Sequence, residues 1–158
     1  MYTELINNKI KEAQLLGLFK QFCEKYTNKQ LQNNFRNILY NTTDKERTIF
    51  NLFKNEYNYS MSDEETKRMI ELLNAFLSKK SFRINYENDV KKMLLKKQSY
   101  KCAICGAEID IKSHLDHIIP FKYVGDELDN NLQMLCTTCN LRKNASLDFQ
   151  IRYYLNLL

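Results

Sequence analysis

The first part of the chain carries apolar residues three or four positions apart, the spacing that places them on one face of an α-helix. The two leading stripes are Leu15, Leu18, Phe19 and Phe22, then Leu31, Phe35, Ile38 and Leu39. Thr43 with Glu46, and Ser62 with Glu65, fit the capping box that begins a helix, so we predict helices near 44–57 and 63–79. A further helix over about 86–97 is predicted to bury Val90, Met93 and Leu94 and to expose its lysines.

The pattern changes after residue 98. Two of the three glycines, the single proline, both histidines and four of the five cysteines lie within residues 102–139. Residues 113–120 read as a strand ended by proline, 126–131 as a polar loop, 132–135 as a short strand, and a helix is predicted to begin near Thr137. We therefore predict an α+β protein: a mainly helical region over 1–98 and a small module with a C-terminal helix over 99–158.

Four cysteines form two C-x-x-C pairs, Cys102 with Cys105 and Cys136 with Cys139, separated by 30 residues. Two intervening residues let one tight turn direct both sulfurs at one ion, and two such turns fill the tetrahedral positions that zinc prefers. We predict a structural Zn²⁺ with no open position for water. A redox dithiol is the alternative, although a single C-x-x-C is the usual redox unit.

Asp116 and His117 lie between the cysteine pairs and suit phosphodiester hydrolysis. A carboxylate is a hard oxygen ligand for Mg²⁺. A neutral imidazole accepts a proton from water near neutral pH. Adjacent strand residues point to opposite faces, so both side chains reach one site only if the strand end is irregular, and Pro120 is consistent with such an end.

Within residues 100–145 the order Asp-His-Ile-Ile-Pro, Asn-Asn-Leu, Cys-Thr-Thr-Cys-Asn-Leu-Arg-Lys resembles the HNH nuclease family in its zinc-bearing ββα-metal form. The resemblance implies that His117 is the general base and Asp116 a ligand of the catalytic metal. It implies that Asn131, more than Asn130, braces the loop and orients the base. Asn140 takes the last position, often a histidine, as the second metal ligand. Because an amide oxygen is a hard ligand, we expect Mg²⁺ or Mn²⁺ there.

Basic residues are concentrated before the first cysteine pair. The chain has a net charge of +5, and residues 79–101 contain eight basic and two acidic residues. We expect this segment to contact phosphates, with a solvated helix face as the alternative. The residues predicted to contact nucleic acid are Lys91, Lys92, Lys96, Lys97 and Lys143. For Lys143 a solvated position on its helix is equally compatible with the sequence, and His114 has no fixed place in the pattern.

The family implies an endonuclease that cleaves DNA to leave a 5′-phosphate and a 3′-hydroxyl, in restriction, phage defence or mobile-element biology. RNA is not excluded as a substrate. The alternatives are a non-catalytic zinc module that binds nucleic acid or protein, and a nuclease subunit of a larger complex. Residues 1–98 could recognise DNA, form a homodimer or dock a partner. The sequence has no apolar run near the ~20 residues that span a bilayer, and its cysteine usage suits a reducing compartment, so we expect a cytoplasmic protein.

Overall fold

The computed structural model describes residues 2–158, except for the side chain of Tyr2. The first part of the chain is helical: α1 (Tyr2–Lys25), α2 (Lys29–Asn41), α3 (Lys45–Tyr57), α4 (Asp63–Ser78) and α5 (Asn88–Lys97). The second part mixes strands and helices: β1 (His114–His117), α6 (Phe121–Val124), β2 (Leu132–Leu135), α7 (Thr137–Lys143) and α8 (Leu147–Tyr154). The predicted α+β class, with helices followed by a small two-stranded module, is confirmed.

The predicted helix starts are correct to within a residue or two. Ser62 and Glu65 form the predicted capping box at the start of α4, where each side chain accepts a hydrogen bond from the other residue's backbone N–H. At α3 the N-cap is Asp44 and not Thr43, because the Asp44 carboxylate accepts from the backbone N–H of Arg47. A carboxylate is a strong acceptor that also interacts favourably with the helix dipole.

A first buried cluster is built on aromatic rings from the helices. The Phe22 ring lies 4.9 Å from the Phe35 ring and 6.2 Å from that of Phe76. Burying such a side chain stabilises the fold by about 1.5–3 kcal/mol. The predicted stripe on α2 is correct only for Phe35 and Leu39, since Leu31 and Ile38 are exposed. Only a narrow face of α2 packs against the protein, so the apolar residues beside that face are exposed to solvent.

A second buried cluster surrounds the cysteines. Its buried residues are Leu94, Leu95, Cys102, Ile109, Met134, Leu135 and Cys139. Helix α5 faces this cluster with Leu94 and Leu95, whereas Met93 is 60% exposed. The prediction that Met93 points inward was therefore wrong. Helix α5 packs on β2 and on the turn that contains Cys102, and this packing buries Leu95 and leaves Met93 exposed.

Each of the two clusters contains residues from both sides of the sequence boundary at residue 98. Helix α5 packs with the second cluster, while Ile119, Val124, Leu128 and Leu147 join the first. Helix α8 packs along α1, and α6 packs against α4. The loop between β1 and β2 is therefore anchored on the helical region. No helix within residues 2–158 combines the length and apolar composition needed to cross a membrane.

Candidate functional site

Strands β1 and β2 pair antiparallel and set the position of the candidate residues. Asp116 pairs with Gln133 and His117 with Leu132. His117 is the last residue of β1, and the chain then leaves the sheet towards Pro120. The backbone N–H of Ile118 still donates to the Asn131 carbonyl at 2.8 Å. The predicted strand over 113–120 is therefore shorter in the structure, since β1 ends at His117 and one further backbone hydrogen bond follows it.

Asn131 is buried immediately before β2 and braces this strand end. Its side-chain oxygen accepts from the Ile119 backbone N–H at 2.8 Å, and its Nδ2 donates to the Ile119 carbonyl at 2.8 Å. Because both amide atoms are engaged with one residue, the backbone two positions beyond His117 is held on both sides.

Asp116, His117 and Asn140 line one cleft of about 300 Å³. Asp116 and His117 come from the end of β1, while Asn140 comes from the middle of α7. Arg83 and Phe121 also line the cleft. Residues that are far apart in the sequence thus meet at one concave surface, which brings a carboxylate, an imidazole and an amide within reach of one ligand.

The Asp116 carboxylate uses one oxygen for the fold. Its Oδ2 accepts from Gln133 Nε2 at 2.9 Å and lies 3.0 Å from Lys143 Nζ. Among residues 2–158 the structure records no hydrogen bond to Oδ1. Asp116 can therefore offer a hard oxygen to a divalent ion. Asn140 lines the same cleft, and its amide oxygen is a second candidate ligand of the kind that Mg²⁺ or Mn²⁺ accepts.

The predicted phosphate contact of Lys143 does not agree with its position. The Lys143 side chain is 0% exposed, and its ammonium donates to the His117 carbonyl at 2.6 Å besides pairing with Asp116. Burial lowers the pKa of Lys143, and the Asp116 carboxylate opposes that change. Lys143 is neither a phosphate contact nor a solvated lysine, because its charge is needed to balance Asp116 in the interior.

His117 hydrogen-bonds a residue that the sequence analysis did not select. His117 Nε2 lies 2.6 Å from Asp126 Oδ1, with side-chain exposures of 14% and 4%. Burial would raise the pKa of Asp126, but hydrogen bonds from the Ile84 backbone N–H, His117 and Tyr86 outweigh burial and lower the pKa. These hydrogen bonds favour the ionised form of Asp126. It was read only as part of a polar loop, since no sequence spacing links it to His117.

The four cysteines of the two pairs converge. Their sulfur atoms all lie within 4.8 Å of one another, and the Cys105 and Cys136 sulfurs are 3.8 Å apart. Four thiolates around zinc, each about 2.3 Å from the ion, are separated by about 3.8 Å. The fit to a closed metal site is therefore good. Cys136 is the N-cap of α7, so this site joins the start of α7 to the turn that contains Cys102 and Cys105.

The lysines predicted to contact nucleic acid have different surroundings. Lys91 Nζ donates to the carbonyls of Ser113 at 3.0 Å and Ile111 at 3.4 Å, so it ties α5 to the turn before β1. Lys92, Lys96 and Lys97 are exposed, and Lys92 pairs with Asp89. Among the described residues that line the cleft, the one cation is Arg83, whose guanidinium lies 4.8 Å from the Phe121 ring centre.

His114 lies at the start of β1, and its Nε2 is 3.2 Å from Thr137 Oγ1. It does not line the cleft that contains Asp116 and His117. The two histidines of the chain therefore have separate surroundings, which makes His114 a matched control for His117.

Comparison with known proteins finds a similarity in the segment that contains most of the cleft and the cysteine site. The searches of curated proteins and of solved structures found no match. The model of the family described as HNH endonuclease matches residues 102–146, the segment that contains all four cysteines, Asp116, His117, Asn131 and Asn140. The chain is therefore similar to the HNH endonuclease family over residues 102–146, which are under a third of its length.

Proposed function

We propose that this protein is a metal-dependent endonuclease that hydrolyses phosphodiester bonds in DNA and leaves a 5′-phosphate and a 3′-hydroxyl. The observation that carries the proposal is that Asp116, His117 and Asn140 line one cleft within the segment that matches the family. A bound Mg²⁺ or Mn²⁺ would supply a positive charge to neutralise the phosphate and the leaving oxygen. Asp116 Oδ1 and the Asn140 amide oxygen are its proposed ligands.

His117 is the proposed general base. Its imidazole takes a proton from the attacking water, whose oxygen forms a bond to phosphorus as the bond from phosphorus to the 3′ oxygen breaks. The 3′ oxygen then takes a proton from solvent, which balances the hydrolysis. Asn131 acts indirectly, because its two bonds to Ile119 keep the strand end, and with it His117, in place.

Arg83 is the proposed contact for a phosphate in the cleft. Its guanidinium is exposed, stacks over Phe121 and lines the same surface as the candidate base. A guanidinium offers several planar donors that match phosphate oxygens, whereas the ring beneath restricts its movement. Lys92, Lys96 and Lys97 on α5 are proposed to add nonspecific attraction for the DNA backbone.

The cysteine site is proposed to hold Zn²⁺ as a structural ion. Four thiolates fill its coordination shell, so no position remains for a reactive water. Unpaired cysteines that converge on a metal fit a reducing compartment, and we propose a cytoplasmic location on that ground. We also propose a role in restriction, phage defence or mobile-element biology, and a partner or second copy bound through residues 1–98.

The test is cleavage of supercoiled plasmid by the purified protein with Mg²⁺, with Mn²⁺ and with a chelator of divalent ions. We expect metal-dependent cleavage that His117→Ala abolishes while zinc content and DNA binding stay unchanged. The matched control is His114→Ala, which removes the other histidine and should cleave at a near wild-type rate. If His117→Ala also cleaved at that rate, His117 would not be the base. A protein that binds DNA without cleaving it under any of these conditions would be a non-catalytic zinc module.

A further inference from the structure

Asp126 makes three hydrogen bonds, one of them to the candidate base His117. Its Oδ1 lies 2.6 Å from His117 Nε2 and accepts from Tyr86 Oη at 2.7 Å, while its Oδ2 accepts from the Ile84 backbone N–H at 2.8 Å. Ile84 and Tyr86 precede residues 102–146, the segment that matches the family. The surroundings of the candidate base therefore include a strap over residues 80–87, between α4 and α5.

An ionised carboxylate can only accept hydrogen bonds. Asp126 accepts a hydrogen bond on each oxygen, from the Ile84 N–H on Oδ2 and from the Tyr86 hydroxyl on Oδ1, so it acts as an ionised acceptor. His117 Nε2, 2.6 Å from Oδ1, must therefore carry the proton of the hydrogen bond between them. A neutral imidazole has one ring proton, so Nδ1 is left with the lone pair. The partner of one ring nitrogen thereby decides which nitrogen is basic.

We propose that Asp126 is a positioning residue that holds His117 in the Nε2–H tautomer, so that Nδ1 is the atom that takes the proton from water. The catalytic part of this inference rests on the proposed nuclease function, whereas the tautomer does not. Asp126 touches neither substrate nor metal in this scheme. It acts through His117 alone.

The loop conformation fixes Asp126 against the strap. Gly125, directly before it, has a φ of +60°, and a Cβ built there would lie 2.9 Å from the Lys79 Cβ. Glycine therefore permits both the left-handed backbone and the close approach to the end of α4. With the Ile84 N–H bound to Oδ2 and the Tyr86 hydroxyl bound to Oδ1 beside His117, the Asp126 carboxylate has little freedom to turn away from His117.

The substitution Asp126→Asn changes the hydrogen-bonding character of this side chain while it keeps nearly the same shape. An asparagine keeps the Ile84 bond only if its oxygen faces that N–H, which turns its NH₂ group towards His117. The His117 Nε2 must then become an acceptor and the proton moves to Nδ1. The variant should therefore fold with most of its hydrogen bonds retained but present a protonated Nδ1 to the cleft.

The experiment is ¹⁵N NMR of the histidine side chains in the full chain loaded with zinc, at alkaline pH, combined with steady-state cleavage kinetics. The chain has two histidines, so His114→Asn identifies the signals of His117. We expect Nε2–H in the wild type and Nδ1–H in Asp126→Asn, with kcat lower by about 10²–10⁴ and KM within about twofold, as for a base held in the wrong tautomer. The matched control is Asp129→Asn, the same change at an exposed position of the same loop, which should alter neither tautomer nor kcat.

An Nδ1–H tautomer in the wild type would overturn the proposal without any variant. So would an Asp126→Asn protein that keeps the Nε2–H tautomer, or one that cleaves with wild-type kcat. A structural role alone would lower the thermal stability of the variant without moving the ring proton. Failure of the nuclease proposal is distinguishable, because it would appear as a wild type that keeps the Nε2–H signal but cleaves no DNA, and it would remove the catalytic part of the inference.

Discussion

At the scale of single residues, Lys143 holds the candidate metal ligand in place from the interior. Its ammonium contacts Asp116 Oδ2 and the His117 carbonyl, and the side chain has no exposed surface. A buried charge is tolerated only when a counter-charge and hydrogen bonds compensate for the water it has lost. Asp116 and Lys143 therefore depend on each other, and the order of Asp116 depends on both Lys143 and Gln133.

We predict that Lys143→Met destabilises the protein by about 3 kcal/mol, since one partner of a buried ion pair is removed and the other is left uncompensated. Urea unfolding of the zinc-loaded protein measures the change. The control is Lys97→Met at an exposed position of α5, expected to stay within about 0.5 kcal/mol of the wild type. A Lys143 variant that keeps full stability but loses salt-dependent DNA affinity would mean that Lys143 contacts a phosphate after all.

The sequence located the residues of the HNH pattern but not their supporting partners. Asp116, His117, Asn131 and Asn140 could be selected because their types and order carry chemical meaning. Asp126 and Tyr86 are 40 positions apart and meet only through the packing of the loop on the strap. Lys143 was misread because a lysine near the end of a short helix is usually exposed, and nothing in its sequence neighbourhood reports the buried carboxylate beside it.

At the scale of elements, α5 has one face that packs on the protein and one face that exposes lysines. Leu94 and Leu95 bury one face against the cysteine cluster, and Lys91 ties the helix to the turn before β1. The other face exposes Lys92, Lys96 and Lys97. Periodicity predicted the helix, but in ten residues with Val90, Met93, Leu94 and Leu95 it does not settle which flanking residue is buried. The neighbouring β2 decides that.

We predict that replacing Lys92, Lys96 and Lys97 with glutamine flattens the slope of log DNA affinity against log salt by up to roughly 2.7, at about 0.9 per phosphate contact. Binding isotherms at several salt concentrations give the slope. Exposed lysines elsewhere supply a charge-matched control, the triple glutamine variant at Lys29, Lys45 and Lys67. Equal slopes for both triple variants would move the DNA path away from α5.

Lys91 and Arg83 should behave differently from those three lysines. Lys91→Gln is expected to lower stability and leave the salt slope unchanged, because its ammonium is engaged with the carbonyls of Ile111 and Ser113. Arg83→Gln is expected to reduce the salt slope by about 0.9 and also to lower kcat, because Arg83 lines the cleft. The same isotherms and cleavage rates measure both. A loss of affinity without a loss of kcat at Arg83 would place its phosphate contact outside the reacting site.

At the scale of the whole molecule, the cysteine site and the helical region meet through the β1–β2 module. The cysteines and α5 form one buried cluster, while the β1–β2 loop, α6 and α8 contribute to the other. The change in composition at residue 98 was readable in the sequence. The sequence did not show that α5 packs with the second cluster or that α6 and α8 pack with the first. Which cluster a short helix joins depends on contacts between distant segments.

We predict that removal of zinc with a strong chelator lowers the thermal stability of the protein and abolishes its activity, since the energy of binding a closed thiolate site is also folding energy. Calorimetry and elemental analysis measure the loss. Readdition of zinc should restore the stability, and zinc followed by Mg²⁺ should restore the activity. Cys102→Ser or Cys139→Ser should cost solubility. Cys23 is buried outside the four-cysteine site, so Cys23→Ser should leave the zinc content at one ion per chain. A folded, active protein without zinc would contradict this role.

The most direct test of nuclease activity is end mapping of a labelled DNA duplex after incubation with the wild type and Mg²⁺ under single-turnover conditions. We expect products that carry a 5′-phosphate and a 3′-hydroxyl, formed only with the divalent ion. His117→Ala should form them at least about 10²-fold more slowly, the range expected for loss of a general base. Products with a 3′-phosphate, or equal rates for the wild type and His117→Ala, would contradict hydrolysis by His117 in this cleft.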